Sequence, residues 1–264
     1  MAIKLIALDL DGTLLTSDKK ITTRTKDILA RAMSHGVTVT IATGRMLRSA
    51  LYFTRQLASD APVICCNGGY VGRAEGEPVF AKCFDQDLVR EFLTFVYERN
   101  WYVNWYSGIE IYAPEYRADH FDAYRTTGNF VVTEVGNDYL RYTENVPQFV
   151  LRNLNEGIDA YFTAVREQFG DRVVPQQNTG TSLDINPPGV NKAVGVQALA
   201  YAMGLSLDEV MVAGDADNDF EMLAMGAFSV VPENGLPEAK ERASYVTASN
   251  DANGIALAIE KFVL

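Results

Sequence analysis

Apolar and polar positions follow a strand–helix rhythm at both ends of the chain. Residues 3–8 are an apolar run, broken only at Lys4, with no polar face, as in a strand buried on both sides. Over residues 22–33 the apolar positions take helical spacing. Ile28, Leu29 and Ala32 share one face, and Gly36 closes the segment. Residues 37–42 predict a second strand, 46–57 a second helix and 62–66 a third strand. The rhythm returns late in the chain. Residues 192–203 predict a helix closed by Gly204, and Ser206 is placed to cap the segment before a buried strand at 210–213. A helix over 220–225, a strand over 228–231 and a last helix over 252–262 follow. This alternation predicts an α/β fold with a doubly wound parallel sheet.

The middle of the chain has a different composition. Residues 83–187 hold 19 of the 28 aromatics, both tryptophans included. They also carry 8 basic and 16 acidic residues, most of the formal net charge of -11. Similar rhythms on either side of a compositional shift predict an insertion. Residues 1–82 and 188–264 would form a core, and 83–187 an inserted α/β cap, with Pro187-Pro188-Gly189 as a hinge. The aromatics Trp101, Tyr102, Trp105, Tyr106, Tyr112 and Tyr116 suit sugar stacking, but the favoured reading is that they build the cap's own core. Asp184 and Asn186, near the hinge, are better suited to polar contact with a ligand.

Charge and cysteine usage exclude several classes. A net charge of -11 argues against nucleic acid and against an anionic membrane surface as partners. No apolar run reaches the roughly 18 residues of a membrane span, and the N-terminal run is too short for a signal peptide. The 3 cysteines, two of them adjacent, form neither a disulfide framework nor a zinc spacing. A cytoplasmic chain, a monomer or small homo-oligomer, is expected. His35 and His120 lie in no motif.

Four segments carry chemistry. Asp9-Leu10-Asp11-Gly12-Thr13 directly follows the first buried strand. If the chain stays extended through Leu10, both carboxylates enter one crevice, where a divalent cation would offset their desolvation. Thr43-Gly44-Arg45 ends the second strand and offers a hydroxyl and backbone N–H groups to an anion. Lys192 opens a helix, where the dipole disfavours a cation. Taken alone it reads as a surface lysine; otherwise it serves a phosphate or clustered carboxylates. Gly214-Asp215-Ala216-Asp217-Asn218-Asp219 follows the strand at 210–213 and suits a hard cation such as Mg²⁺. An EF-hand fails, since Phe220 and Gly226 stand where Gly and Glu are needed. Together the four segments supply a nucleophile, an acid/base, phosphate donors and metal ligands, the set phosphoryl transfer needs.

Asp9-Leu10-Asp11-Gly12-Thr13, Thr43, Lys192 and Gly214-Asp215-x-x-Asn218-Asp219 resemble, in order and spacing, the four motifs of the haloacid dehalogenase superfamily. Glu221-Met222-Leu223, Asn67-Gly68-Gly69 and Ser249-Asn250-Asp251-x-x-Gly254-Ile255 are similar to the Cof-type sugar-phosphate phosphatases with a large α/β cap, subclass IIB. The resemblance implies Asp9 as nucleophile and Asp11 as general acid/base, with Mg²⁺ held by Asp9, the Asp11 carbonyl and Asp215, and Asp219 close by. It implies that Thr43, Gly44, Lys192 and Asn218 meet the phosphoryl oxygens. The expected activity is Mg²⁺-dependent hydrolysis of a small phosphorylated metabolite, a sugar phosphate first, through an aspartyl phosphate. To protonate a leaving group, Asp11 is expected to have a raised pKa, from the carboxylates nearby. A phosphomutase of the phosphomannomutase kind is the harder alternative, and a non-catalytic sugar-phosphate binder the weaker one. An ion pump and a dehalogenase are excluded by the acid at Asp11, and a dinucleotide binder is disfavoured, because no G-x-G-x-x-G follows the first strand.

Overall fold

The computed structural model describes residues 2–125, 131–152, 157–178 and 182–264. The chain divides into two compact units, Met1–Phe80 with Asn191–Leu264, and Ala81–Val190.

The first unit begins with β1 (Leu5–Leu8), α1 (Thr23–Ser34), β2 (Thr38–Ile41), α2 (Leu47–Gln56) and β3 (Val63–Cys65). Every residue of β1 is fully buried, which explains the absence of a polar face. Thr22 caps α1 by accepting from the Thr25 amide, and the helix buries Thr25, Ile28, Leu29 and Ala32. After β3 the short strands β4 (Tyr70–Gly72) and β5 (Phe80–Ala81) make a small sheet with it. These two short pairings are absent from the sequence reading.

The second unit runs through α3 (Gln86–Glu98), β6 (Tyr102–Ser107), β7 (Glu110–Ala113), α4 (Ala118–Arg125), β8 (Val132–Glu134), β9 (Phe149–Arg152), α5 (Ile158–Phe169), β10 (Val174–Asn178) and β11 (Ser182–Asn186). Its six-stranded sheet has the order β10-β11-β9-β6-β7-β8, antiparallel except at β7–β8. The aromatics pack this unit. Phe92 stacks on Phe149 at 4.5 Å, and the buried Trp105 indole donates to the Tyr142 carbonyl at 2.7 Å. Trp101 and Trp105 belong to that apolar core, with Tyr112 packed against it, while Tyr102 and Tyr106 are buried too; Tyr116 is the exposed one of the six. Asp184 and Asn186 are buried on β11, where the Gln148 amide donates to both.

The chain returns to the first unit with α6 (Lys192–Ala202), β12 (Val210–Ala213), α7 (Phe220–Leu223), β13 (Phe228–Pro232), α8 (Pro237–Arg242), β14 (Tyr245–Thr247) and α9 (Gly254–Phe262). Ser206 caps a 3-10 turn, Leu207–Glu209, that leads into β12. The last helix starts two residues later than its pattern predicts, because Asn250–Ala252 is a 3-10 turn and Asn253 is left-handed. The short α8 and the edge strand β14 are too brief to show a periodicity of their own.

The main sheet is parallel, in the order β14-β13-β12-β1-β2, and a bridge between Ala42 and Ile64 continues it to β3. The chain first winds outward from β1 to β3, then resumes on the other side of β1 with β12 and winds outward to β14. The reversal of direction lies between β1 and β12, where open α/β sheets form their ligand crevice. Leu8 pairs with both Ala213 and Ile41, so Asp9, Gly214 and Ala42 leave the sheet at one level. Leu5, Ala7, Val210 and Val212 pack under Val196, Leu199 and Ala200 of α6, which seats that helix on one face.

Candidate active site

Asp9 is the first residue beyond β1, and its amide still donates to the Ala213 carbonyl at 2.9 Å. Its carboxylate is buried and accepts from Lys192 Nζ at 2.7 Å. The same ammonium donates to Asp219 Oδ1 at 2.7 Å. Lys192 has no exposed surface. It is therefore not a solvated surface lysine but the bridge between two strand ends. Asn191 caps α6 through the Val194 amide and so sets Lys192 at the first helical position. Burial opposes the charge on Lys192, but Asp219 and Asp9 outweigh it and raise its pKa.

Beyond β12, the other Asp219 oxygen accepts from the amides of Asp215 and Ala216 at 2.9 and 3.1 Å. This closes the turn that presents Asp215. Thr13 donates to Asp215 at 2.8 Å. Gly12 has φ +87°, and a Cβ there would overlap the Asp215 carboxylate. Only glycine lets the chain leave Asp11 so close to the opposite strand end.

Asp9, Asp215 and Asp219 can each present an oxygen within 4.8 Å of the others. Three carboxylates against one ammonium leave a formal charge of two negative, which a divalent cation matches. Burial, with Asp219 and Asp215 beside it, drives the Asp9 pKa up against the pull of Lys192. Burial likewise raises Asp215 to about 6, with Asp219 adding to the effect and the Thr13 hydroxyl opposing it. Hard oxygen donors crowded in this way fit Mg²⁺. Both Asp219 oxygens are already committed to Lys192 and to backbone amides, so Asp9 and Asp215 are the better-disposed donors.

Asp11 departs from expectation. Its carboxylate is outside that cluster and is forked by Arg45, through Nε and a terminal nitrogen at 2.8 Å each, while Lys19 donates at 2.8 Å. Burial would raise its pKa, but Arg45 and Lys19 prevail and hold it at about 2. The expected upward shift is therefore corrected: two cations, not carboxylates, are its near neighbours. The Thr43-Gly44-Arg45 pattern points to a hydroxyl and backbone amides, and nothing local in the sequence marks the side chains of Arg45 and Lys19. Thr43 is buried beyond β2, and its hydroxyl accepts from the Arg45 amide at 3.2 Å. Gly44 packs against the Asn67 side chain, and Asn218 Nδ2 donates to Asn67 Oδ1 at 3.4 Å. Asp9, Thr43, Gly44, Lys192, Asp215, Asn218 and Asp219 thus gather at one edge of the sheet, with Asp11 beside them in its own ion pair.

Residues 6–259 match the family of haloacid dehalogenase-like hydrolases, and the chain belongs to it. It is 30% identical over 274 residues to the 5-amino-6-(5-phospho-D-ribitylamino)uracil phosphatase YbjI of Escherichia coli K12, covering 99% of this chain and 96% of that one. It is 29% identical over 267 residues to the YitU enzyme of the same name from Bacillus subtilis 168, with 98% and 97% coverage. A solved haloacid dehalogenase-like hydrolase from Bacteroides thetaiotaomicron shares its fold at a TM-score of 0.89, with 24% identity over 98% of this chain and 99% of that one. The chain is accordingly a phosphatase of the Cof type, a phosphoric monoester hydrolase.

Proposed function

We propose that this phosphatase is Mg²⁺-dependent and hydrolyses monophosphate esters of small polyhydroxylated metabolites, sugar phosphates among them, through an aspartyl phosphate on Asp9. The observation that carries the reading is the buried Lys192 bridge between Asp9 and Asp219, beside Asp215. It leaves one nucleophilic carboxylate oriented and the cluster two charges short of neutrality.

In this reading Mg²⁺, held by Asp9 and Asp215 with the Asp11 carbonyl, supplies the positive charge that lets an anion approach an anion. Asp9 attacks phosphorus, and the ester oxygen leaves with a proton from Asp11. Asp11 then takes a proton from water, whose oxygen attacks phosphorus and breaks the Asp9–phosphorus bond. Lys192, Thr43, Gly44 and Asn218 hold the phosphoryl oxygens. Because Arg45 and Lys19 keep Asp11 ionised at rest, they must yield it before it carries a proton, and an arriving phosphate dianion competes for both cations. The second unit, which contributes none of these groups, is assigned the choice of leaving group.

The names of the relatives support the substrate class. The two ribitylaminouracil phosphatases are named for a phosphorylated ribityl chain, while an HMP-PP phosphatase of Yersinia pestis, 31% identical over 245 residues, supports only the broader class of small phosphorylated metabolites. Phosphorylated polyols therefore belong in the first panel. The test is release of inorganic phosphate from such a panel in Mg²⁺, with and without chelator, by the wild type and Asp9→Asn. The variant should fold and lose roughly a thousandfold or more in kcat. Turnover that survives in Asp9→Asn, or in excess chelator, overturns the mechanism. Transfer of the phosphoryl group to a second sugar without phosphate release would mark a mutase.

A further inference from the structure

One segment outside the charged set touches three of its parts. Cys66–Gly68 forms a 3-10 turn after β3. Cys66 and Asn67 have φ of 51° and 52°, a region that non-glycine residues seldom occupy. Two such residues in succession persist only where their surroundings hold them. The holding contacts run to the Thr43 turn. Thr43 N donates to the Ile64 carbonyl at 2.9 Å, Cys66 N to the Arg45 carbonyl at 3.0 Å and Asn67 N to the Thr43 carbonyl at 3.2 Å.

The Asn67 side chain is buried, and a Cβ on Gly44 would come within 2.7 Å of its Oδ1. Asn67 and Gly44 thus fit only as a pair. The same oxygen accepts from Asn218. One residue further on, Gly68 lies against the start of α6. A Cβ there would overlap the Asn191 carbonyl and lie 3.1 Å from Lys192 Cα. A turn needed only for chain reversal would be served best by glycine, which takes positive φ without cost. An asparagine with its amide buried against Gly44 and Asn218 indicates a use for that amide.

We infer that Asn67 is a positioning residue, which sets the Thr43-Gly44 turn and Asn218 at the spacing of one phosphoryl group. It acts through those groups and contacts no reacting atom. The inference rests on the phosphate-site reading proposed above.

The test compares Asn67→Gly, which removes the amide and relaxes the backbone, with Asn67→Ala, which removes the amide and keeps the strain. The readouts are kcat and KM for p-nitrophenyl phosphate, inhibition by inorganic orthophosphate, and Tm. In Asn67→Gly, Tm should stay within a few degrees of wild type. KM and the orthophosphate inhibition constant should each rise about tenfold. kcat should hold within about threefold, because Asp9, Asp11 and the carboxylate cluster keep their places. Asn67→Ala should repeat the kinetic pattern at a lower Tm. Wild-type KM and orthophosphate inhibition in Asn67→Gly would overturn the inference and leave Asn67 a folding residue. Failure of the underlying reading looks different: the wild type would then be insensitive to orthophosphate, or Asp9→Asn would remain active, and the inference would fall with it.

Discussion

Lys192 shows how burial changes what a residue can do. An ammonium without access to water is tolerable only if its charge is answered, and Asp9 and Asp219 do so at 2.7 Å each. Removing one partner leaves a buried charge under-compensated, which is more damaging than the pair itself is stabilising. Asp219→Ala should therefore lose about 3–5 kcal/mol of unfolding free energy, read from a urea midpoint at pH 7. It also deletes the acceptor for the Asp215 and Ala216 amides, so Mg²⁺-dependent turnover should fall at least tenfold. A variant of wild-type stability would mean that the ammonium finds other partners.

The elements place these side chains through their ends. β1 and β12 are in register, and the turn beyond β1 meets the turn beyond β12 at Gly12, while Gly214 gives room to Asp219 within its own turn. A Cβ on Gly12 would overlap Asp215, and one on Gly214 would overlap Asp219. Gly12→Ala should cost about 1–2 kcal/mol for its positive φ alone. It should also displace Asp215, weakening Mg²⁺ activation at least tenfold in a metal titration. Unchanged Mg²⁺ affinity would show that the Asp215 turn can retreat. Strand ends are where sequence reasoning works best, because a continuous apolar run that stops at an acid is a local signal. Arg45 falls outside that reach. Its backbone position after β2 is apparent, but that its side chain turns back to Asp11 is not.

For the whole molecule, the crowding of acids couples stability to pH and metal. Asp215 has a folded pKa raised from 3.8 to about 6. A raised folded pKa contributes stability below the unfolded value, and that contribution is lost as pH climbs through about 6. Metal-free protein should thus lose Tm between about pH 4 and pH 6 from this group. At the proposed site Mg²⁺ would reverse the loss, since it would require the ionised carboxylate and have to displace a proton at low pH. The Tm gain from Mg²⁺ should accordingly be larger at pH 7.5 than at pH 5. Equal gains at both would remove Asp215 from the ligand set. Asp11 runs the other way: its folded pKa is depressed from 3.8 to about 2, so its stabilisation holds above pH 4 and fades as pH falls through about 2. Among the described residues no helix is long and apolar enough to cross a membrane.

Read alone, the chain determined its parallel sheet, the order of the longer strands and helices of the first unit, though not β4, β5, α8 or β14, and the acids standing at strand ends. Those features depend on neighbours within a few positions, where apolar spacing and chain breakers act directly. It also showed that the aromatics concentrate in one stretch, which became the core of the second unit. Which cation pairs with which acid was beyond it. Lys192 reaches Asp9 across 183 residues of chain and Asp219 across 27, and Arg45 reaches Asp11 across 34. The direction of the Asp11 pKa is illegible in the sequence for that reason. A pKa reports charges and burial in space, and chain winding on both sides of β1 brings those charges together.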